Sequence, residues 1–289
     1  MLRHPDAHMS VLPDVTPQTS APCDMLFIYY LEGSLKNDPS GLTDFIGNWQ
    51  EDGFTFLFFS SPAMDQVQRL ISASGGLIFI DHYQMSYQDW VGEKISPFHT
   101  HLLSVSPPWE PFTPESSRKQ ILLDPGVVFG AGRHPTTRNC LEAIECACQF
   151  QPVTSALDLG TGTGILAIAA ARLGCPSVLA VDINRLAVQT ALRNIRLNHL
   201  ENNILAIQSS ADDCMHRPFD LLIANIHYDV MKRLVRSDGF LKQRMCILSG
   251  LLRSEAADIE SSLKQLPLTL MRKWDQDGIW FTYWYARKQ

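Results

Sequence analysis

A doubly wound, Rossmann-like α/β fold is predicted by three features of this sequence. The segment Ala156–Gly164, A-L-D-L-G-T-G-T-G, has the form of a buried strand that enters a glycine-rich turn. A helical run, Ile165–Leu173, follows the turn, and a second apolar run, Ser177–Val181, ends at the acidic residue Asp182. This order of strand, glycine turn, helix, strand and acid is typical of one half of a parallel, ligand-binding α/β sheet.

The residues before this motif predict a smaller α+β unit over 23–86. Its elements are expected to be strands at Met25–Leu31, Phe54–Ser60 and Gly76–His82, with helices at Thr43–Trp49 and Ala63–Ala73. In the second helix, Val67, Leu70 and Ile71 recur at helical spacing. Residues 1–22 mix prolines with small and polar residues, which predicts a flexible tail. The Pro-rich stretch 87–118 predicts a connector with one extended piece, Leu102–Val105.

Residues 119–289 are predicted to form one larger domain of alternating helices and strands. A helix begins near Arg138, and the later elements are a helix at Arg185–Asn198, strands at Ile204–Gln208, Asp220–Ala224 and Met245–Ser249, a helix at Ser254–Leu266, and β-like runs at Leu268–Trp274 and Ile279–Ala286. The turn D-Q-D-G joins the last two runs, so they are expected to pair antiparallel. Such a pair is unusual in a dehydrogenase sheet.

Composition excludes several classes of protein. With 289 residues and 45% hydrophobic content the chain can bury a large core. A formal net charge of −6 disfavours nonspecific nucleic-acid binding, which needs Lys and Arg against phosphates. The seven cysteines lack metal-ligand spacing, so no metal site is predicted. Neither a signal peptide nor a run of membrane-spanning length is recognisable, which predicts a cytoplasmic protein without membrane contact.

The glycine turn itself predicts which cofactor the fold binds. Its spacing is G-x-G-x-G, and Asp158 lies two residues before the first glycine. A carboxylate there repels a pyrophosphate but can accept hydrogen bonds from an ammonium group. S-adenosylmethionine carries an ammonium and a sulfonium and no phosphate, and Asp182 is placed to bind its ribose hydroxyls. We therefore predict S-adenosylmethionine, with NAD or FAD and an incidental glycine-rich turn as the alternatives.

A family resemblance rests on four segments. Residues Leu123–Thr137, L-D-P-G-V-V-F-G-A-G-R-H-P-T-T, resemble a long signature of the ribosomal protein L11 methyltransferases. Asp158–Ala170, Ala224–Ile226 and Ser249–Leu252 are similar to further motifs of that family. The resemblance implies a class I methyltransferase with a seven-stranded sheet that methylates protein amines, lysine side chains or the N-terminal amine, of ribosomal protein L11. The front unit would then be the substrate-recognition domain.

The resemblance also implies roles for individual residues. The cofactor would be contacted by Phe129, Thr137, Asp158, Gly160, Gly162, Gly164, Asp182 and Asn225, and by general class I geometry Ala211 or Asp212 would lie beside its adenine. Asn225 would also face the incoming amine and is the predicted catalytic residue. His134, His227 and Tyr228 are candidates to line the acceptor pocket, although a structural role is open for each of them. Ala131 and Arg133 depart from the usual signature.

Three other functions stay open at this point. The chain could methylate lysines of another protein, or bind the cofactor without catalysis. A nucleic-acid methyltransferase is disfavoured because Ile226, His227 and Tyr228 stand where such enzymes carry N-P-P-[YF]. The modified amines and the oligomeric state do not follow from these motifs.

Overall fold

The described part of the chain forms three β-sheets that follow one another in chain order. A computed structural model describes residues 23–288 except 37–38, 52, 92–95, 111–116, 129, 131 and 133. These residues form sheets of four, three and seven strands. The predicted tail at 1–22 and three residues of the signature, Phe129, Ala131 and Arg133, lie outside the described residues.

The first sheet forms the front unit. Its elements are β1 (Met25–Glu32), β2 (Phe45–Glu51), β3 (Phe54–Phe59), helix α1 (Met64–Ser74) and β4 (Ile78–Ser86). The strand order is β2-β3-β1-β4, and every neighbouring pair is antiparallel. Helix α1 covers one face, where Val67 packs with Tyr29, Leu31 and Leu57. The predicted small α+β unit and its three strands are thereby confirmed.

The helix predicted at Thr43–Trp49 is wrong, because this segment is strand β2. Two causes favour the strand. Phe45, Ile46 and Trp49 are residue types that fit a pleated, half-buried surface, and Gly53, at φ 82°, allows the turn into the phenylalanine-rich β3. Pairing with β3 outweighs the short helical pattern.

The middle of the chain is more regular than a connector. It contains α2 (Tyr87–Val91), β5 (Phe98–His99), β6 (Leu103–Ser106) and β7 (Lys119–Leu122), and the three strands form one sheet in the order β5-β6-β7. The predicted extended piece at Leu102–Val105 is confirmed as β6. Its Leu103 and Val105 are buried in the main core together with Ile121 of β7.

The third sheet confirms the predicted seven strands. In chain order the remaining elements are α3 (Pro135–Phe150), β8 (Ser155–Leu159), α4 (Ile165–Arg172), β9 (Ser177–Asp182), α5 (Arg185–Leu197), β10 (Ile204–Gln208), α6 (Ala211–Cys214), β11 (Leu221–Asn225), α7 (Tyr228–Leu234), β12 (Met245–Leu252), α8 (Arg253–Leu263), β13 (Leu268–Gln276) and β14 (Trp280–Arg287). The order is β10-β9-β8-β11-β12-β14-β13. Five strands are parallel, and β14 is antiparallel to both of its neighbours. Its antiparallel pairing with β13 confirms the prediction for the last two runs.

The strand order reverses between β8 and β11. From β8 the chain proceeds outward through β9 and β10, and it then returns to β11 on the other side of β8. Loops at the carboxyl ends of the strands diverge at such a reversal and leave a crevice, which is where open α/β sheets bind ligands. Asp182 ends β9 and Asn225 ends β11, so two predicted site residues lie at this edge.

The front sheet packs directly on the larger domain. Leu26, Ile28 and Phe58 share one buried cluster with Val127 and Leu186. A Cβ at Gly47 of β2 would overlap the Leu186 side chain, so strand and helix α5 approach closely there. The Tyr87 hydroxyl donates to the Gly126 carbonyl at 2.8 Å, which adds a polar tie. The domain boundaries at 86/87 and 118/119 remain predictions.

Among the described residues no helix is both long and apolar enough to span a membrane.

Candidate active site

The glycine turn between β8 and α4 has the backbone that only glycine adopts easily. Gly160, Gly162 and Gly164 have φ values of 71°, 53° and 83°. A Cβ at Gly160 would lie 2.5 Å from Cγ2 of Ile226, and one at Gly164 would lie 3.2 Å from Ala191. The turn is therefore held tightly against the loop after β11 and against helix α5.

Asp158 has one carboxylate oxygen that no described group binds. The side chain is fully buried, and its Oδ2 accepts hydrogen bonds from the Thr161 hydroxyl at 2.6 Å and from the Ala167 amide at 3.1 Å. Oδ1 has no hydrogen-bond partner among the described residues. Burial raises the pKa of this carboxyl to about 7. A buried acceptor without a donor is costly, so a ligand that donates hydrogen bonds fits this position.

Asp182 connects the glycine turn with the loop after β9. Its Oδ2 accepts from the Gly162 amide at 3.0 Å, and its Oδ1 accepts from the Asn184 amide at 2.9 Å. Burial raises the pKa of the Asp182 carboxyl. Each carboxylate oxygen has a further lone pair, so both can still accept from a ligand's hydroxyl groups.

Asn225 is held by the signature segment on helix α3. Its Nδ2 donates to the Thr136 hydroxyl at 3.3 Å, and Nδ1 of His134 lies 2.7 Å from the same oxygen. His134 also caps α3, and burial lowers its pKa. Thr137, the next residue, is buried, and its Oγ1 has no hydrogen-bond partner among the described residues.

The signature segment lies over the glycine turn. The Thr163 hydroxyl donates to the Gly130 carbonyl at 2.8 Å, and a Cβ at Gly130 would lie 2.9 Å from that hydroxyl oxygen. Gly130 of the signature segment thus lies directly against Thr163 of the glycine turn, and the predicted contact of Thr137 with the cofactor stays a prediction. Phe129 precedes Gly130 and lies outside the described residues, so its predicted contact with the cofactor stays a prediction.

The other predicted residues lie at the rim or face elsewhere. Asp212 is exposed in the first turn of α6, after β10, and its proposed position beside adenine stays a prediction. His227 lies at the N-cap of α7, and 79% of its side chain is exposed. The Tyr228 hydroxyl donates to Asp258 of α8 at 2.6 Å, so Tyr228 ties α7 to α8. In this structure its hydroxyl is engaged on α8.

Two buried asparagines of α5, Asn194 and Asn198, were not among the residues predicted from the sequence. Asn194 accepts from the Asp124 amide at 2.8 Å and donates to the carbonyls of Asp124, at 2.8 Å, and Thr163, at 2.9 Å. Asn198 accepts from the Leu122 amide at 3.0 Å and donates to its carbonyl at 2.6 Å. Asn194 thereby joins the signature segment to the glycine turn. The signal was present: two asparagines four residues apart in a helix, where this residue type is otherwise unfavourable.

Within the part of the chain that the structure describes, no group of three or more His, Cys, Asp and Glu side chains is placed to hold an ion.

Comparison with known proteins identifies the family. The model of the ribosomal protein L11 methyltransferase family matches residues 61–288, which is most of the chain. The chain belongs to this family. The match contains every predicted site residue and most of the described structure, whereas β1, β2 and β3 of the front unit precede it.

Individual relatives agree with this assignment. A ribosomal protein L11 methyltransferase of Bacillus cereus (strain G9842) is 34% identical over 199 residues, which are 65% of this chain and 62% of the relative. The one of Listeria innocua serovar 6a is 37% identical over 185 residues, or 63% of this chain and 58% of the relative. The matches thus span less than two thirds of these relatives' length.

A solved structure shares the fold of this family. The crystal structure of a ribosomal protein L11 methylase from Lactobacillus delbrueckii subsp. bulgaricus superposes with a TM-score of 0.57 at 31% identity. The superposition covers 66% of this chain and 96% of that one.

Proposed function

We propose that this chain transfers methyl groups from S-adenosylmethionine to amino groups of ribosomal protein L11, on lysine side chains or at the N-terminus. Family membership supports the reaction. The observation that carries the proposal is the meeting of Asp158, Asp182 and Asn225 with the glycine turn at one crevice of the sheet. These residues supply acceptors for an ammonium, a ribose and an amine, which are the polar groups of the two reactants.

The donor set of the crevice fits S-adenosylmethionine. The unpartnered Oδ1 of Asp158 is an acceptor suited to an ammonium or to an ordered water beside it. Asp182 keeps lone pairs for the two ribose hydroxyls. A carboxylate at Asp158, two residues before the first glycine of the turn, opposes the phosphates of NAD or FAD. When bound, S-adenosylmethionine supplies a methyl group on a sulfonium, which is a good leaving group.

The residues of the chain orient the amine more than they activate it. A lysine amine has an ordinary pKa of about 10.4, and an apolar surrounding lowers it, because desolvation disfavours the ammonium. Asn225 provides an amide oxygen that can accept an N–H of the neutral amine. Holding the nucleophile in line with the methyl group is then the main contribution to the rate.

The front unit, residues 23–86, is proposed to recognise the protein substrate. The sheet face that packs on the larger domain continues into half-buried aromatic residues, where Tyr30 stacks on Phe56 at 4.6 Å and contacts Phe54 at 5.2 Å. Aromatic surface of this kind is typical of protein contacts. A second protein substrate in place of L11 is the alternative, since the family match begins only at residue 61. A cytoplasmic location follows from the proposed substrate.

A labelling experiment tests the proposed function. The purified protein is incubated with methyl-labelled S-adenosylmethionine and a ribosome-containing lysate, and the labelled band is identified by mass spectrometry. We expect label in L11, with none in a matched reaction that contains Asn225→Ala. Label in another protein would identify a different protein substrate, and label in RNA would identify a nucleic-acid substrate. Absence of label would leave cofactor binding without catalysis as the remaining function.

A further inference from the structure

Thr136 lies between the predicted catalytic amide and a half-buried histidine. It is 1% exposed, in the first turn of α3. Its hydroxyl oxygen is 2.7 Å from Nδ1 of His134 and 3.3 Å from Nδ2 of Asn225, which ends β11. The three side chains thus form a continuous hydrogen-bonded chain from the start of α3 to the carboxyl end of the sheet.

The direction of these hydrogen bonds follows from counting protons. The backbone amide of Thr136 donates to Nδ1 of His134 at 3.4 Å, as in an N-cap, so Nδ1 carries a lone pair and no proton. Burial lowers the pKa of His134, which keeps the ring neutral. The Thr136 hydroxyl, at 2.7 Å the nearer of the two donors, shares this lone pair and donates its single proton to Nδ1. Its oxygen can only accept from Asn225, so the amide NH₂ of Asn225 is the group that faces Thr136.

The surroundings hold both ends of this chain in place. The ring of Trp280 packs edge-to-face on His134 with ring centroids 4.8 Å apart. On the other side, Oδ1 of Asn225 is next to Gly250, where an added Cβ would lie 3.0 Å from that oxygen. Gly250 has φ 84°, so both its backbone and its missing side chain suit this contact.

We propose that His134 and Thr136 are positioning residues that set the polarity of the Asn225 amide, so that its oxygen faces the acceptor amine. This inference rests on the proposed methyl transfer. An amide oxygen accepts an N–H of the neutral amine and leaves the nitrogen lone pair directed at the methyl group. The reversed amide would donate to that lone pair and remove the nucleophile. The lone pair of His134 therefore specifies which end of Asn225 takes part in the reaction.

Substitution of Thr136 tests this hydrogen-bond relay, which runs from His134 through Thr136 to Asn225. Thr136→Val keeps the shape and removes both hydrogen bonds, whereas Thr136→Ser keeps the hydroxyl. We expect the valine variant to lower kcat for L11 methylation by about tenfold or more, with the Kd for S-adenosylmethionine changed by less than about twofold. The serine variant should recover most of kcat. Thr190→Val is the matched control, because Thr190 is equally buried and bonds only to the Leu186 carbonyl of its own helix.

Two results would overturn the relay. One is a valine variant with wild-type kcat, and the other is an equal loss of kcat and cofactor affinity, which would indicate a general structural role. ¹⁵N NMR of the His134 ring tests the relay without any substrate: the neutral tautomer with the proton on Nε2 supports it, and a proton on Nδ1 contradicts it. If the wild type itself does not methylate L11, the proposed function fails, and the NMR result still decides the relay.

Discussion

Asp182 accepts hydrogen bonds from two loops and is proposed to bind the ribose with its remaining lone pairs. Asp182→Ala should weaken S-adenosylmethionine binding by about 1.5 to 3 kcal/mol, the usual range for hydrogen bonds to a charged acceptor. Calorimetric titration measures this loss, and a thermal melt of the same variant serves as the control for folding. An unchanged affinity together with a collapsed melting temperature would show that Asp182 only joins the loops after β8 and β9.

Asp158 predicts a pH dependence of both stability and binding. Its pKa is raised from 3.8 to about 7 by burial, so the folded protein holds this proton more tightly than the unfolded chain. The contribution of Asp158 to the free energy of unfolding is therefore full below pH 3.8 and is lost as the pH rises to about 7. Bound ammonium favours the carboxylate, so cofactor binding below about pH 7 should release a proton.

Calorimetry in two buffers of different ionisation enthalpy measures this proton release. The pKa of Asp182 is also raised by burial, so wild-type data alone do not assign the proton to one residue. Asp158→Asn makes the assignment, because it removes the titrating group at nearly constant shape. We expect the buffer dependence to disappear in this variant. A buffer dependence that persists unchanged would place the proton on Asp182 or elsewhere.

At the scale of elements, helix α5 holds the signature segment in register with the glycine turn. Asn194→Ala would leave the Asp124 amide and the carbonyls of Asp124 and Thr163 without their buried partner. We expect a loss of about 3 kcal/mol in the free energy of unfolding, at the upper end of the cost of an unsatisfied buried group. Denaturant unfolding measures it. Cofactor affinity should fall as well, since both bonded segments line the site.

Asn203→Ala is the matched control for Asn194→Ala. Asn203 lies outside α5 and makes one exposed side-chain hydrogen bond, to the Pro176 carbonyl at 3.3 Å. Its replacement should change stability by less than about 0.5 kcal/mol. Equal effects of the two substitutions would show that the buried hydrogen bonds of Asn194 add no more to the free energy of unfolding than the exposed one of Asn203.

Elements with their own local pattern were predictable from the sequence. The alternation of apolar strands with helices of 3.6-residue period from β8 onward located each strand of the large sheet to within a few residues. Segment β2 was not predictable in this way, because its hairpin with β3 depends on pairing across a turn. Short segments of mixed pattern are decided by tertiary contacts more than by their own propensity.

The same distinction applies to the site. The glycines and Asp158 were identifiable because a tight turn after a strand restricts the residue types that fit. The hydrogen bond between Thr136 and Asn225 joins residues 89 positions apart, and no local sequence pattern predicts such a contact. Tyr228 lies three residues after Asn225 in sequence, yet its hydroxyl donates to Asp258 of α8, because Tyr228 begins helix α7, which packs against α8.

At the scale of the whole molecule, the front unit and the larger domain share one buried cluster. Ile28 and Phe58 of the front sheet pack with Val127 and Leu186, so neither part buries its apolar surface alone. We therefore expect one cooperative transition in scanning calorimetry. Leu186→Ala should lower the free energy of unfolding by about 2 to 5 kcal/mol, as for other buried leucines.

Leu205→Ala provides the control for this interface, since Leu205 is 63% exposed on β10. Its effect on the transition should be small. Two separate calorimetric transitions in the wild type, of which only one responds to Leu186→Ala, would show that the front unit folds independently of the larger domain.

The most direct test of the proposed function is the intact mass of ribosomal protein L11 after incubation with this protein and S-adenosylmethionine. If the proposed function is right, the mass of L11 increases by whole methyl additions with the wild type. With Asn225→Ala, the rate should fall far more than cofactor affinity, because Asn225 is proposed to orient the amine in the transition state. An unchanged mass of L11 with folded, cofactor-bound wild-type protein would contradict the proposed methylation of L11.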